Sequence, residues 1–432
     1  MLIFETFSAP CSLAGEILEP PAGPAIRFQH LSELVKAGKA RLVNLTGVAT
    51  KPGNHYSMKS ADEFRYPTEF NPAEHANEFA TGTAFETRDL GDSLEHELTL
   101  QADDSSPCLN YVLRHEILLG MRDIAEPPQD PAIDQPTFGS RSITGNFRLL
   151  PGNPRLTNTL SSHGQKPPGA AESADVWYTF VRYQPIPAPQ SGGTKALGKG
   201  SVIEYSFVSM NRGAAETILS SVDGSDSAWQ ATQQLVAENK ARLDHVMVIP
   251  VDPDSSAKSS EYAEFRYGTE FVAPGESKPP VDSRTEMTRT EDHPVQGSNN
   301  DNRVTIKETS EHYVPGGKTE RTPGYPAAFE TRDQGYTVEQ ELKLNPTQTA
   351  GDLTVWINWV GNRGTVQYPG TSNPHIAQPL FEHRSQGASI PVLPGIHFFV
   401  GTLNPPGENG VNGRKDDGTV CLSFAKLSTE LP

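Results

Sequence analysis

Two copies of one unit, laid end to end, constrain this chain more than any other feature. KARL (39–42) recurs as KARL (240–243), an offset of 201 residues. EFRY (63–66) followed by TEF (68–70) recurs as EFRY (264–267) and TEF (269–271) at the same offset. AFETRD (84–89) returns at 328–333, offset 244, and both copies run on through Gly91 or Gly335. QPTF (135–138) matches QPLF (378–381), LLPG (149–152) matches VLPG (392–395), and Thr159-Leu160 matches Thr402-Leu403, all at 243. VWYTF (176–180) closes the series against VCLSF (420–424) at 244. A period near 200 residues means two copies of a domain, not a solenoid of short repeats. The jump in offset places about 43 extra residues in the second copy, between Phe271 and Ala328. QPIPAPQSGGTKALGKG (184–200) has linker composition. The expected division is a first repeat over 1–183, a linker over 184–200, and a second repeat over 201–432 with a polar insertion at about 272–322.

Composition narrows the class of fold. With 37 glycines and 37 prolines in 432 residues, long helices would be broken every few residues. No Gly-X-Y period exists, so the chain is not collagen-like. A net charge of −17 repels phosphates and argues against sequence-independent nucleic-acid binding. Cys11, Cys108 and Cys421 are widely spaced and form no CxxC pair, so neither a zinc site nor a disulfide framework is suggested. One bridge remains open as an alternative to three free thiols. The N-terminal MLIFETFSAPCSLAGEILEPP has no basic start, and Glu5 interrupts its apolar run, so it does not read as an export signal. No run of 18 apolar residues predicts a transmembrane helix, a test blind to β-barrel strands.

Within each unit the period is two. LEHELTL sets Leu94, Leu98 and Leu100 on one face and Glu95, Glu97 and Thr99 on the other; VEQELKL repeats this with Val338, Leu342 and Leu344. That alternation predicts half-buried strands. DLTVWINWVG and SVIEYSFVSM are further strands. Helical spacing is found just before each KARL block, through Leu31, Leu34 and Val35, and through Leu235 and Val236, with Asp226 and Ser227 as candidate caps. The insertion is polar and poor in aromatics. Its TEMTRTE and RVTIKETSE stretches predict either a long exposed hairpin or a disordered loop. The expected fold class is all-β: two tandem antiparallel domains, each one short helix followed by six or so strands.

The order of helix, KARL strand, EFRYPTEF, AFETRDLG, hairpin, QPTFGSR, LLPG and closing apolar strand resembles the C-terminal domain of bacterial secretins. These are the ring-forming channels of type II and type III secretion and of type IV pili. The likeness is to secretin-type proteins of the Verrucomicrobia and Planctomycetes, and it covers about residues 28–183 and 229–427. The secretin stretch near the channel gate is absent from both copies, and secretin rings are built from single copies, so the resemblance implies assembly more than a channel. It implies a cell-envelope location, periplasm or outer membrane. Its implied partners are further copies of this chain or secretion and pilus proteins; membrane association is left open.

Catalytic motifs are not found. A pepsin-like pair of D-T/S-G motifs is absent; Asp223-Gly224-Ser225 and Asp417-Gly418-Thr419 fall at non-equivalent places and read as turns. The twelve histidines include no HExxH. His96 lies on the Leu94/Leu98 face and reads as a packed residue, with Gln340 as its counterpart in the second copy. His115-Glu116 has no partner at metal spacing, and Trp359 replaces His115. The FETRD trio reads as a strand-edge ion pair before a turn. Phe64, Tyr66, Phe70 and Phe85, with Phe265, Tyr267, Phe271 and Phe329, are expected to pack between strands. No catalytic, cofactor or metal residue is therefore nominated. The expected function is a non-enzymatic structural protein that acts by self-assembly or by binding envelope components. The alternatives are a soluble two-lobed binding module that has lost channel formation, and a hydrolase of unrecognised type.

Overall fold

The computed structural model describes residues 1–18, 23–71, 81–100, 106–123, 134–161, 175–186, 201–221, 225–251, 255–272, 281–291, 304–313, 325–345, 349–367, 377–407, 411 and 416–428. The first repeat runs β1 (Leu2–Pro10), α1 (Ala14–Leu18), α2 (Pro24–Lys36), β2 (Arg41–Val48), β3 (His55–Asn71), β4 (Thr81–Thr99), β5 (Cys108–Asp123), β6 (Asp134–Arg148), β7 (Arg155–Ser161) and β8 (Asp175–Tyr183). The second runs β9 (Val202–Asn211), α3 (Arg212–Ser221), α4 (Ser225–Ala237), β10 (Ala241–Pro250) and β11 (Ser255–Val272). It continues through β12 (Val281–Glu291), β13 (Val304–Tyr313), β14 (Tyr325–Leu344), β15 (Gly351–Gln367), β16 (Ala377–Val392), β17 (His397–Thr402) and β18 (Thr419–Ser428). The all-β class holds, with two differences of detail. A strand precedes the helical segment in each repeat, and that segment holds two helices instead of one. The leading strand β1 is hard to read because its residues are buried on both faces, which removes the alternation a half-buried strand shows. Asp226 lies in the first turn of α4, where it accepts from Gln230 Nε2 at 3.0 Å. Most of the 184–200 segment lies outside the described residues. Within the insertion, β12 and β13 pair as an antiparallel two-stranded sheet.

Two eight-stranded antiparallel sheets carry the rest. One has the order β10-β9-β18-β17-β2-β1-β8-β7, the other β11-β14-β15-β16-β3-β4-β5-β6. Each repeat fills four consecutive places in each sheet, and the repeats match down to their irregularities. The slip in β1 opposite Asn44 and Leu42 recurs in β9 opposite His245 and Leu243. The paired slips after Pro67 and after Glu69 recur after Gly268 and after Glu270. Bulges are set by sequence and persist within a fold, so their recurrence marks the two halves as one design.

Leu2, Phe4, Tyr205, Ile249 and Phe398 from the first sheet meet Leu94, Leu109, Val338, Val355 and Ile390 from the second in one continuous core. The outer face of the first sheet is covered by helices. Ile17, Leu31 and Leu34 pack on Phe7, Tyr178 and Phe180, and Ile218, Leu219 and Trp229 pack on Val208, Leu422 and Phe424. Residues of β1 therefore alternate between two apolar layers, helices outside and the second sheet inside.

The long strands of the second sheet outrun it. Pairing of β4 with β5 ends at Gly91, and pairing of β14 with β15 ends at Gly335. These glycines have φ of 145° and 143°, values L side chains rarely adopt. The free ends of β3 and β4 fold over β6, where Gln135 Nε2 donates to the Pro67 carbonyl at 2.9 Å. The second repeat repeats this with Gln378 Nε2 and the Gly268 carbonyl at 3.1 Å. Phe64, Tyr66 and Phe138 cluster in one fold-over, Phe265, Tyr267 and Phe381 in the other.

Candidate functional site

The repeats meet head to tail. The trailing strands β16 and β17 of the second repeat pair with the leading strands β3 and β2 of the first. Six residue pairs join β16 to β3, from Phe381 opposite Glu63 to Gln386 opposite Met58. Asn404 Nδ2 donates to the Leu45 carbonyl at 2.7 Å, and the Ala49 amide donates to the Val400 carbonyl at 2.9 Å. In the folded-over layer β11 runs against β4, with Phe85 and Phe271 edge to face at 5.8 Å.

Charge fixes this contact. Arg65, 8% exposed, donates through Nη1 to the Tyr267 hydroxyl at 2.9 Å and to Glu330 Oε2 at 3.1 Å. Its guanidinium lies 5.0 Å from the Tyr267 ring centre. Tyr267 itself donates to Glu330 at 3.1 Å, so a phenol–carboxylate pair receives the arginine as a unit. Beside it Glu63 pairs with Arg332 and lies 3.5 Å from His383. Burial raises the pKa of Glu63 while Arg332 holds it down. Burial lowers that of His383 to about 4, with Lys59 and Arg332 adding to the effect. Half-buried charges of this kind need their partners in place. The FETRD trio thus has split roles. In the first repeat Glu86 accepts from Tyr66, Arg88 pairs with Glu116, and Asp89 pairs with Lys59. In the second, Glu330 and Arg332 hold the junction.

A head-to-tail contact buries one face of each repeat and leaves the matching faces free at the ends. Leu45 on β2 is fully buried, while its counterpart Val246 on β10 is 43% exposed. Ala61 on β3 is 2% exposed and its counterpart Tyr262 on β11 is 51% exposed. Arg65 is buried and Arg266 is exposed; Phe85 is half-buried and Phe329 is exposed, against the packing expected of it. At the other end Leu393 is buried and its counterpart Leu150 is exposed. The Tyr66–Glu86 pair, counterpart of Tyr267–Glu330, stands at that end at 3.3 Å. Among the described residues both ends are therefore sheet edges without a strand partner and with apolar side chains, a template for strand pairing that natural sheets ordinarily blunt.

The other residues singled out from the sequence lie elsewhere. Asp223 and Gly224 fall outside the described residues. Asp417 accepts from the amide and hydroxyl of Thr419 at 2.9 and 2.7 Å, a turn at the start of β18. Glu116 accepts from Arg88 and from Ser140. The three cysteines are free thiols, and burial pushes that of Cys421 up to about 12. Among the described residues no group of three or more His, Cys, Asp or Glu side chains is arranged to hold a metal ion. None of the described helices is long and apolar enough to cross a membrane, which leaves β-barrels untested.

His96 is 1% exposed beneath Tyr56. Its counterpart Gln340 accepts from the Tyr205 hydroxyl at 2.6 Å, but the residue matching Tyr205 is Phe4, which has no hydroxyl to offer. Burial lowers the His96 pKa to about 4. Between pH 6.5 and 4 the unfolded chain takes up a proton that the folded chain refuses, so stability falls as pH falls through this window. The full effect is about 3 kcal/mol. In urea titrations at pH 7 and pH 4, His96→Gln should lose about 3 kcal/mol less than the wild type; equal losses would show that His96 is not the group responsible.

No family model, no curated protein and no solved structure matches this chain.

Proposed function

We propose that this protein is a non-enzymatic structural subunit that polymerises head to tail. The β6/β7 edge of one copy receives the β11/β10 edge of the next, as β16 and β17 receive β3 and β2 within the chain. The observation that carries this reading is the paired asymmetry of burial: residues covered at the internal junction have exposed counterparts at the free ends. Both partners of the missing contact are present on every copy, and their chemistry matches. Arg266 would reach Tyr66 and Glu86, Glu264 would reach Arg88, and Phe329 would reach Phe70. Strand addition continues main-chain hydrogen bonding, and the side chains set the register. A cell-envelope setting belongs to the proposal on the strength of the secretin resemblance alone.

Light scattering over a range of protein concentrations, with imaging of the particles, tests this. Rings or filaments whose subunit repeat is two units of similar shape are expected. Monomers at every concentration, with and without detergent, would overturn it. The second reading, a two-lobed binding module, is favoured by a cavity in the first repeat.

A further inference from the structure

Under the first repeat, between the two sheets, lies a cavity of about 250 Å³. Phe4, Leu94, Leu113 and Ile143 give it an apolar floor, and Trp177 closes one side. Its other wall is a hydrogen-bonded polar chain drawn from β2, β4 and β5. Thr46 donates to Asn44 Oδ1 at 2.8 Å, Asn44 Nδ2 donates to Asp92 Oδ2 at 2.7 Å, and His115 Nδ1 lies 2.8 Å from Asp92 Oδ1. His115 is 6% exposed, with its ring 4.8 Å from that of Trp177.

The second repeat is an internal control. Its equivalents of Thr6, Asn44 and Asp92 are Phe207, His245 and Tyr336, at matching strand registers. These three rings pack on one another. Tyr336 lies parallel to His245 at 4.5 Å, with Phe207 at 4.6 Å from Tyr336 and 6.0 Å from His245. Trp359, which replaces His115, adds a fourth ring at 6.3 Å. One fold therefore has two solutions at one place. The second repeat fills the space with aromatic side chains; the first keeps small polar ones around an open volume. Water suits the polar wall but not the floor, since apolar cavities stay dry. A pocket that joins an apolar floor to a few convergent polar groups is the usual form of a small-molecule site.

We infer that this cavity binds a small monocyclic aromatic molecule carrying a hydrogen-bond donor, a phenol. Its ring would take the place that the rings of Phe207 and Tyr336 hold in the second repeat, and its hydroxyl would donate to the Asp92 carboxylate. The template is within the chain itself, because the residue that stands in for Asp92 in the filled copy is a tyrosine.

The probe is p-cresol, the tyrosine side chain as a free molecule, with toluene as the same shape without the donor. Titration of the full chain, followed by calorimetry and by the tryptophan resonances, should show saturable p-cresol binding with a Kd below about 1 mM. Affinity for p-cresol should be at least about tenfold that for toluene, the worth of one added hydrogen bond to a charged acceptor. Thr6→Phe with Asp92→Tyr, which brings in two of the four rings of the filled repeat, should abolish binding without lowering the melting temperature. Asp92→Leu removes the acceptor at similar size and should bring the two affinities within about threefold of each other. No saturation up to 10 mM would overturn the inference, and so would an unchanged affinity in the filled variant or an unchanged preference for p-cresol in Asp92→Leu. Because these readouts use binding and not assembly, they stand or fall apart from the proposed polymerisation.

Discussion

Arg266→Glu is expected to leave the chain monomeric at concentrations where the proposed wild-type polymer forms. The expectation comes from the internal junction, where the matching Arg65 is buried against the Tyr267 hydroxyl, the Glu330 carboxylate and the Tyr267 ring. At the open end the same phenol–carboxylate pair is Tyr66 and Glu86. Reversing the charge of Arg266 buries a carboxylate where the internal junction buries Arg65, facing a carboxylate that stays exposed in the internal pair. Losing one partner of such a pair costs several kcal/mol, so the assembly constant should drop by at least about 100-fold. The isolated chain should hardly change. Arg266 is exposed and rests on the Phe329 ring at 4.9 Å, a contact of about 0.5–1 kcal/mol at an exposed site. Glu86→Arg combined with Arg266→Glu should restore part of the assembly. Light scattering of all three proteins decides the matter; assembly of Arg266→Glu at wild-type concentrations would show that polymers, if formed, use another surface.

Gly91→Ala is expected to be the most damaging small change in the fold. At a φ of 145° the added methyl group meets both backbone strain and a collision with the Ser60 carbonyl oxygen on the neighbouring strand. Backbone atoms cannot step aside as a side-chain tip can. Strain of this type costs about 1–3 kcal/mol alone, and the collision raises the total to about 3 kcal/mol or more. Gly335→Ala repeats the experiment in the second unit, against the Glu261 carbonyl. Gly53→Ala is the control, because Gly53 has a φ of 85° and open space around it; only the strain should register there. The comparison needs only urea midpoints at constant m-value. A Gly91→Ala protein within 0.5 kcal/mol of wild type would mean that the chain departs from the sheet without needing glycine.

The sequence carried the duplication, the all-β class and the alternating strands because each of these is a local pattern. Burial on both faces hides β1, and the stretch before KARL reads as a single helix because Cys11, Ala14 and Ile17 follow the strand without a turn signal that sets them apart. The junction was not legible for a deeper reason. Arg65 and Arg266 sit in identical EFRY blocks, and nothing in those four letters says that one is buried and the other exposed. Only the order of strands in the sheets tells them apart. The cavity is an intermediate case. Asn44, Asp92 and His115 come from three strands and meet only in the fold. Yet comparing the copies line by line shows Thr6, Asn44 and Asp92 against Phe207, His245 and Tyr336. A loss of aromatic volume at three sites in one copy is a signal that the sequence contains.

The junction also gives the molecule a direction. Its two ends are chemically unlike: Leu243, Val246 and Arg266 at one, Tyr66, Glu86 and Leu150 at the other. A polymer built from such copies is polar, as a one-way street is, and its two tips are different binding surfaces. A capping partner that recognises the tip carrying Arg266 would leave growth at the tip carrying Glu86 untouched. Length, start point and orientation could then each be set by a different molecule.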